Sequence, residues 1–78
     1  MTDDERFHGE LMLPERIRRA RVERGLSLRE LAAAIGVQAR TLSDFEWGRL
    51  RPADDDLRRL DAVLETSFLA ERHEARWG

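Results

Sequence analysis

The 78-residue chain contains no cysteine. No disulfide can staple it, and no thiolate can hold zinc or act as a nucleophile. Its two histidines, His8 and His73, lie far apart and lack the spacing of metal ligands. No metal site and no cofactor are expected. Lysine is also missing, so all 14 basic residues are arginines, a bias read as GC-rich coding rather than as function. Aromatics make up only 6% of the chain. No apolar run approaches the ~20 residues that cross a bilayer, so no membrane partner is expected. The start, Met1-Thr2-Asp3-Asp4-Glu5, is acidic and polar, unlike a secretory signal or a transit peptide. A soluble cytoplasmic protein is the default. No glycine-rich phosphate loop follows a strand pattern, and no nucleophile–base pair stands out. The carboxylates sit in capping or helix-surface positions. No catalytic residue is assigned, and the chain is not expected to be an enzyme.

What remains is enough for one small domain with a thin stability margin. The net charge is −2, which at first argues against a polyanionic partner. The distribution matters more. Residues 1–13 carry a net −3, residues 14–52 a net +4, and residues 53–78 a net −3. A basic middle between acidic ends fits a surface turned towards nucleic acid, with the ends left for solvent or protein.

The chain shows no strand pattern and no internal repeat. Residues 1–13 show no sustained period and are expected to form a partly ordered arm. Phe7, Leu11, Met12 and Leu13 could fold back as an apolar strap, make a dimer contact or stay loose. Residues 14–78 form the domain proper. Pro14 suits the first turn of a helix, with Leu13, Ile17, Ala20 and Val22 as its apolar positions and Gly25 as its stop. Ser27 and Glu30 form a capping box for a second helix, whose inward residues are Leu28, Leu31, Ala32 and Ile35. The run Ala32-Ala33-Ala34 should keep that helix thin, and Gly36 ends it. A third helix runs from about Ala39 to Trp47, with Leu42 and Phe45 inward and Gly48 as its stop. Arg49-Leu50-Arg51-Pro52 is a basic loop. The fourth starts near Asp54 with three acids in its first turn, suited to the helix dipole. It carries the stripe Leu57, Leu60, Val63 and Leu64. Thr66 or Ser67 caps a short fifth helix with Phe68, Leu69 and Arg72. Five short helices in one all-α domain is the economical architecture.

The informative stretch is Leu26 to Pro52. Gly36-Val37-Gln38 is too tight a turn for an antiparallel hairpin, so the third helix must cross the second steeply. The residues Arg24-Gly25-Leu26-Ser27-Leu28-Arg29-Glu30-Leu31-Ala32, then Gly36-Val37, then Leu42-Ser43-Asp44-Phe45-Glu46-Trp47-Gly48 and Pro52 resemble the phage-repressor and Cro-like helix-turn-helix family, the XRE family. The likeness covers roughly Pro14 to Leu69. It implies a lambda-repressor-like fold in which the third helix enters the major groove and the second crosses the phosphate backbone.

On that resemblance the base-reading residues are Gln38, Ala39, Arg40, Ser43 and Asp44. Arg40 is the strongest, because a guanidinium pairs bidentately with guanine. Asp44 would accept from cytosine or orient Arg40, its neighbour one turn away. Arg29, Thr41, Arg49 and Arg51 are the phosphate contacts, helped by the free N–H groups that open the second helix. Glu46 is expected to pair with Arg16 or Arg19. Leu28 and Trp47 depart from the family, which often has glutamine and a basic residue there. Trp47 would stack on sugar–phosphate, cover the Arg51 stem or enter a protein interface. Phe68, Leu69, Arg72 and Trp77 exceed what one small core needs and are the candidate dimer interface. The implied function is a sequence-specific transcription regulator, of repressor or controller type, binding a palindromic operator in double-stranded DNA as a homodimer. It would be bacterial or phage-derived and nucleoid-associated. The alternative is an antitoxin-like or protein-interaction module that keeps the fold and binds a protein partner.

Overall fold

The structure, a computed structural model, describes residues 12–75. Among the described residues five helices follow one another: α1 (Leu13–Glu23), α2 (Leu28–Ile35), α3 (Ala39–Trp47), α4 (Asp54–Leu64) and α5 (Phe68–Ala75). Among the described residues there is no strand, and no helix is long and apolar enough to cross a membrane.

Local chemistry sets most helix ends. Pro14 sits in the first turn of α1, where its missing N–H leaves nothing unsatisfied. The Ser27 hydroxyl accepts the Glu30 N–H at 3.0 Å, and the Glu30 carboxylate accepts the Ser27 N–H at 2.8 Å. The expected capping box is therefore formed at the start of α2. Gly36 and Gly48 close α2 and α3 with φ of 75° and 74°. A Cβ at Gly36 would meet nothing nearer than Arg59 Nη1 at 3.8 Å. Glycine is needed there for its left-handed backbone, not for space.

The end of α2 has a second support that its own sequence does not announce. Arg59 of α4 donates from Nη1 to the Ile35 carbonyl at 3.1 Å, satisfying an acceptor that the helix itself leaves open. The start of α5 is likewise capped from elsewhere. Asp61 of α4 accepts the N–H groups of Phe68 at 2.8 Å and Leu69 at 3.0 Å, and also the Thr66 hydroxyl. Ser67 is the N-cap residue by position, its carbonyl accepting the Glu71 N–H at 3.0 Å, but its hydroxyl donates to the Glu71 carboxylate instead of capping an amide.

The core gathers Ile17, Leu31, Ala32, Ile35, Leu42, Phe45, Leu57, Leu60, Leu64 and Phe68. Every helix contributes, so α3 is held from several sides, with α1 and α2 packed directly on it. Two apolar expectations fail. Val22 is 61% exposed, because α1 turns its inner face through Ile17 and half-buried Leu13 and Ala20. Of the alanine run, only Ala32 is buried, while Ala33 and Ala34 face solvent.

Candidate nucleic-acid interface

The start of α3 is built to project outward. Gln38 is its N-cap residue, extended at φ −73° and ψ 150°, and its side chain caps nothing. The first turn therefore keeps its donors and the positive end of its dipole unanswered by a side chain. Leu42 and Phe45 bury the inner face. That leaves Gln38 and Arg40 exposed, with Ala39, Thr41, Ser43 and Asp44 half-buried at the flanks. The base-reading candidates thus share one end of one helix.

Asp44 does not orient Arg40. Its carboxylate lies 3.8 Å from Arg49 Nη1, and its carbonyl accepts the N–H groups of Arg49 at 2.9 Å and Leu50 at 3.3 Å. Asp44 therefore organises the loop after α3. Pro52 is buried at the far end of that loop, while Arg49 and Arg51 stay exposed.

Arg29 is exposed in the first turn of α2. The N–H groups around it are less free than the sequence suggests, since Ser27 takes the Glu30 N–H. The Ser27 N–H, and then the Ser27 hydroxyl hydrogen bond, hold the Glu30 carboxyl below its usual pKa. A negative charge therefore stands at this helix end, and an approaching phosphate must rely on Arg29 more than on the amides.

The remaining arginines are mostly engaged. Glu46 pairs with neither Arg16 nor Arg19 but with Arg21, whose Nε lies 2.7 Å from Oε2 and whose Nη2 lies 3.1 Å from Oε1. Arg21 also donates to the Leu26 carbonyl at 2.9 Å. This joint ties α1 to the end of α3. Arg16 instead forks onto Glu71 of α5, and its guanidinium lies 5.2 Å from the Phe68 ring centroid. Arg24 pairs with Glu65, Arg58 with Asp55 and Arg72 with Asp54. Arg18 covers the Trp47 ring at 5.9 Å. Among the described residues, Arg19, Arg29, Arg40 and Arg51 have neither a carboxylate nor an aromatic partner.

The candidate dimer residues separate. Phe68 is 3% exposed and belongs to the chain's own core, where α5 packs against α4. It is not available as a contact in this fold. Leu69 is half-buried against the core, Arg72 is held by Asp54, and Trp77 lies outside the described residues. Sequence reasoning missed Arg59 and Asp61, whose partners are remote or non-helical. Among the described residues, no cluster of three His, Asp or Glu is placed to hold a metal.

Comparison with known proteins agrees with this fold. A helix-turn-helix family profile matches residues 17–69. A solved structure described as a SinR protein/SinI protein complex is similar at 38% sequence identity and a TM-score of 0.69. The match covers 82% of this chain and 66% of that one, just under two thirds of its length. No curated protein sequence matches the chain.

Proposed function

Because the chain belongs to the XRE-type helix-turn-helix family, we propose that it is a sequence-specific transcription regulator that inserts α3 into the major groove of a palindromic operator. One observation carries the reading. Three of the four arginines without a partner among the described residues are Arg29, Arg40 and Arg51, and all three belong to the helix-turn-helix or the loop that leaves it. Apart from Arg19, the described arginines elsewhere are held in ion pairs or stacking; here three guanidinium groups are left for an external anion. Arg40 reads guanine, and Arg29, Arg49 and Arg51 contact phosphates. Gln38, Ala39, Ser43 and Thr41 complete the face, and Asp44 sets the loop that carries Arg49.

A homodimer fits this role, because two-fold symmetry doubles a small contact surface and reads an inverted repeat. Leu69, Arg72 and Trp77 remain its candidate residues. A bacterial or phage-derived, cytoplasmic repressor or controller is the matching biology. The division into an N-terminal arm of residues 1–13 and a DNA-binding domain from Pro14 onward belongs to the same reading.

A second reading has its own support. Trp47, Met12 and Leu50 are exposed apolar side chains, and the similar solved structure contains a second protein. A protein partner would suit such a surface. Binding of duplex DNA, followed by fluorescence anisotropy across a salt series, separates the two. The DNA reading expects affinity to fall steeply with salt, and Arg29→Ala or Arg51→Ala to lessen the log–log slope by about 0.9 each. Absence of any salt-dependent binding to duplex DNA would sink it.

A further inference from the structure

The outward side of α3 carries an acid, Asp44, whereas Glu46 is buried against Arg21. Two parts of Asp44 reach the same arginine. Its carbonyl accepts the Arg49 N–H at 2.9 Å, a contact closed by the left-handed turn at Gly48, φ 74°. Any residue at that position supplies a carbonyl, so the loop backbone does not need the carboxylate. The carboxylate nevertheless lies 3.8 Å from Arg49 Nη1, and the Asp44 side chain keeps 28% of its exposure against 68% for Arg49. Arg49 is therefore clamped within reach of a partly desolvated acid. Among the described residues, Arg29 and Arg51 have no such neighbour.

Resting on the DNA reading above, we propose that Asp44 is a specificity-determining residue whose carboxylate competes with DNA phosphate for Arg49. On a duplex of arbitrary sequence Arg49 stays with Asp44, because leaving strands a part-buried carboxylate beside phosphates. The two side chains then sum to zero charge and displace no counterion. A cytosine opposite Asp44 changes the balance, since its N4 amino group donates to a carboxylate. The base then satisfies Asp44, and Arg49 is released to a phosphate. A base contact is thereby coupled to a phosphate contact, and sites without the cytosine lose both.

The test is fluorescence anisotropy on a labelled duplex pool of random sequence, across a salt series. Wild type, Asp44→Asn, Arg49→Ala and the double variant are compared, with urea midpoints confirming that each is folded. Asp44→Asn should bind the pool about two- to fivefold tighter, the range of a surface ion pair. Its log–log slope should steepen by about 0.9. Arg49→Ala should leave the slope unchanged in the wild-type chain and lessen it by about 0.9 in the Asp44→Asn chain. Sequences selected by the wild type should carry a cytosine in each half-site whose preference Asp44→Asn loses. An Arg49→Ala effect equal in the two chains overturns the proposal, because Arg49 then meets phosphate whatever Asp44 does. So does the same selected motif from both chains. Either result leaves the DNA reading standing, whereas a wild type without salt-dependent binding to the pool removes that reading and this inference with it.

Discussion

Replacing Glu46 by alanine should cost about 3 kcal/mol of folding stability. The Arg21 and Glu46 side chains retain only 14% and 4% of their exposure, so the pair is largely withdrawn from water. It is doubly hydrogen-bonded, at 2.7 and 3.1 Å. Breaking a buried pair by removing one partner costs about 3–5 kcal/mol, because the other charge is stranded. Arg21 keeps the Leu26 carbonyl at 2.9 Å and some contact with water, which places the cost at the lower end. A chain of this size has a total stability of about 4–12 kcal/mol, so the loss is a large part of the margin. Urea unfolding followed by circular dichroism measures it. With a slope near 1 kcal/mol/M, the midpoint should fall by about 3 M. Arg21→Met combined with Glu46→Leu removes both charges and should recover most of the loss. A cost for Glu46→Ala below about 1 kcal/mol, the range of exposed pairs, would refute the reasoning. A double variant as unstable as the single one would do the same.

Two other outcomes follow from the same contacts. Asp61→Ala removes the acceptor for two N–H groups at the start of α5 and should cost about 1–2 kcal/mol, as loss of a strong helix cap does. Native-state hydrogen exchange should show α5 opening ahead of α2 and α3. Glu71 is held below the ordinary carboxylate pKa by its hydrogen bond with Arg16 first and that from Ser67 next. A depressed carboxylate stabilises the fold above its unfolded pKa, and the contribution disappears as pH falls through the folded one. Stability measured by urea titration should therefore decline below about pH 4, and Glu71→Gln should flatten that decline.

The parts of this fold legible in the sequence are those decided within one or two turns of chain. Ser27 and Glu30 are three residues apart and cap each other directly. Gly25, Gly36 and Gly48 mark the helix stops, and Leu57, Leu60 and Leu64 keep the helical period that buries them. The illegible parts depend on which remote group happens to lie opposite. Arg16, Arg19 and Arg21 are equivalent candidates in one dimension, and only the angle between α1 and α3 gives Glu46 to Arg21. Arg16 is then taken by a glutamate 55 residues away. Asp61 looks like an ordinary surface acid until α5 folds back onto it. Phe68 looks surplus for the same reason: it is buried where α5 folds back against α4 and the core, which no local pattern shows. On the candidate DNA face, Arg40 and the loop arginines come from the family resemblance and not from any local pattern. The engagement of Asp44 by Arg49 was not visible, because Arg40 stands at an equally good helical spacing.

The central claim is that α3 reads DNA through its exposed first turns. Selection of bound duplexes from a random DNA pool tests it most directly, with the wild type and Arg40→Ala compared in parallel. The wild type should enrich an inverted repeat with half-sites about one helical turn apart. Arg40→Ala should lose preference for guanine at one position of each half-site, at about 1–3 kcal/mol. A wild-type pool that enriches no sequence, or an Arg40→Ala variant that selects the same motif with the same preference, would contradict it.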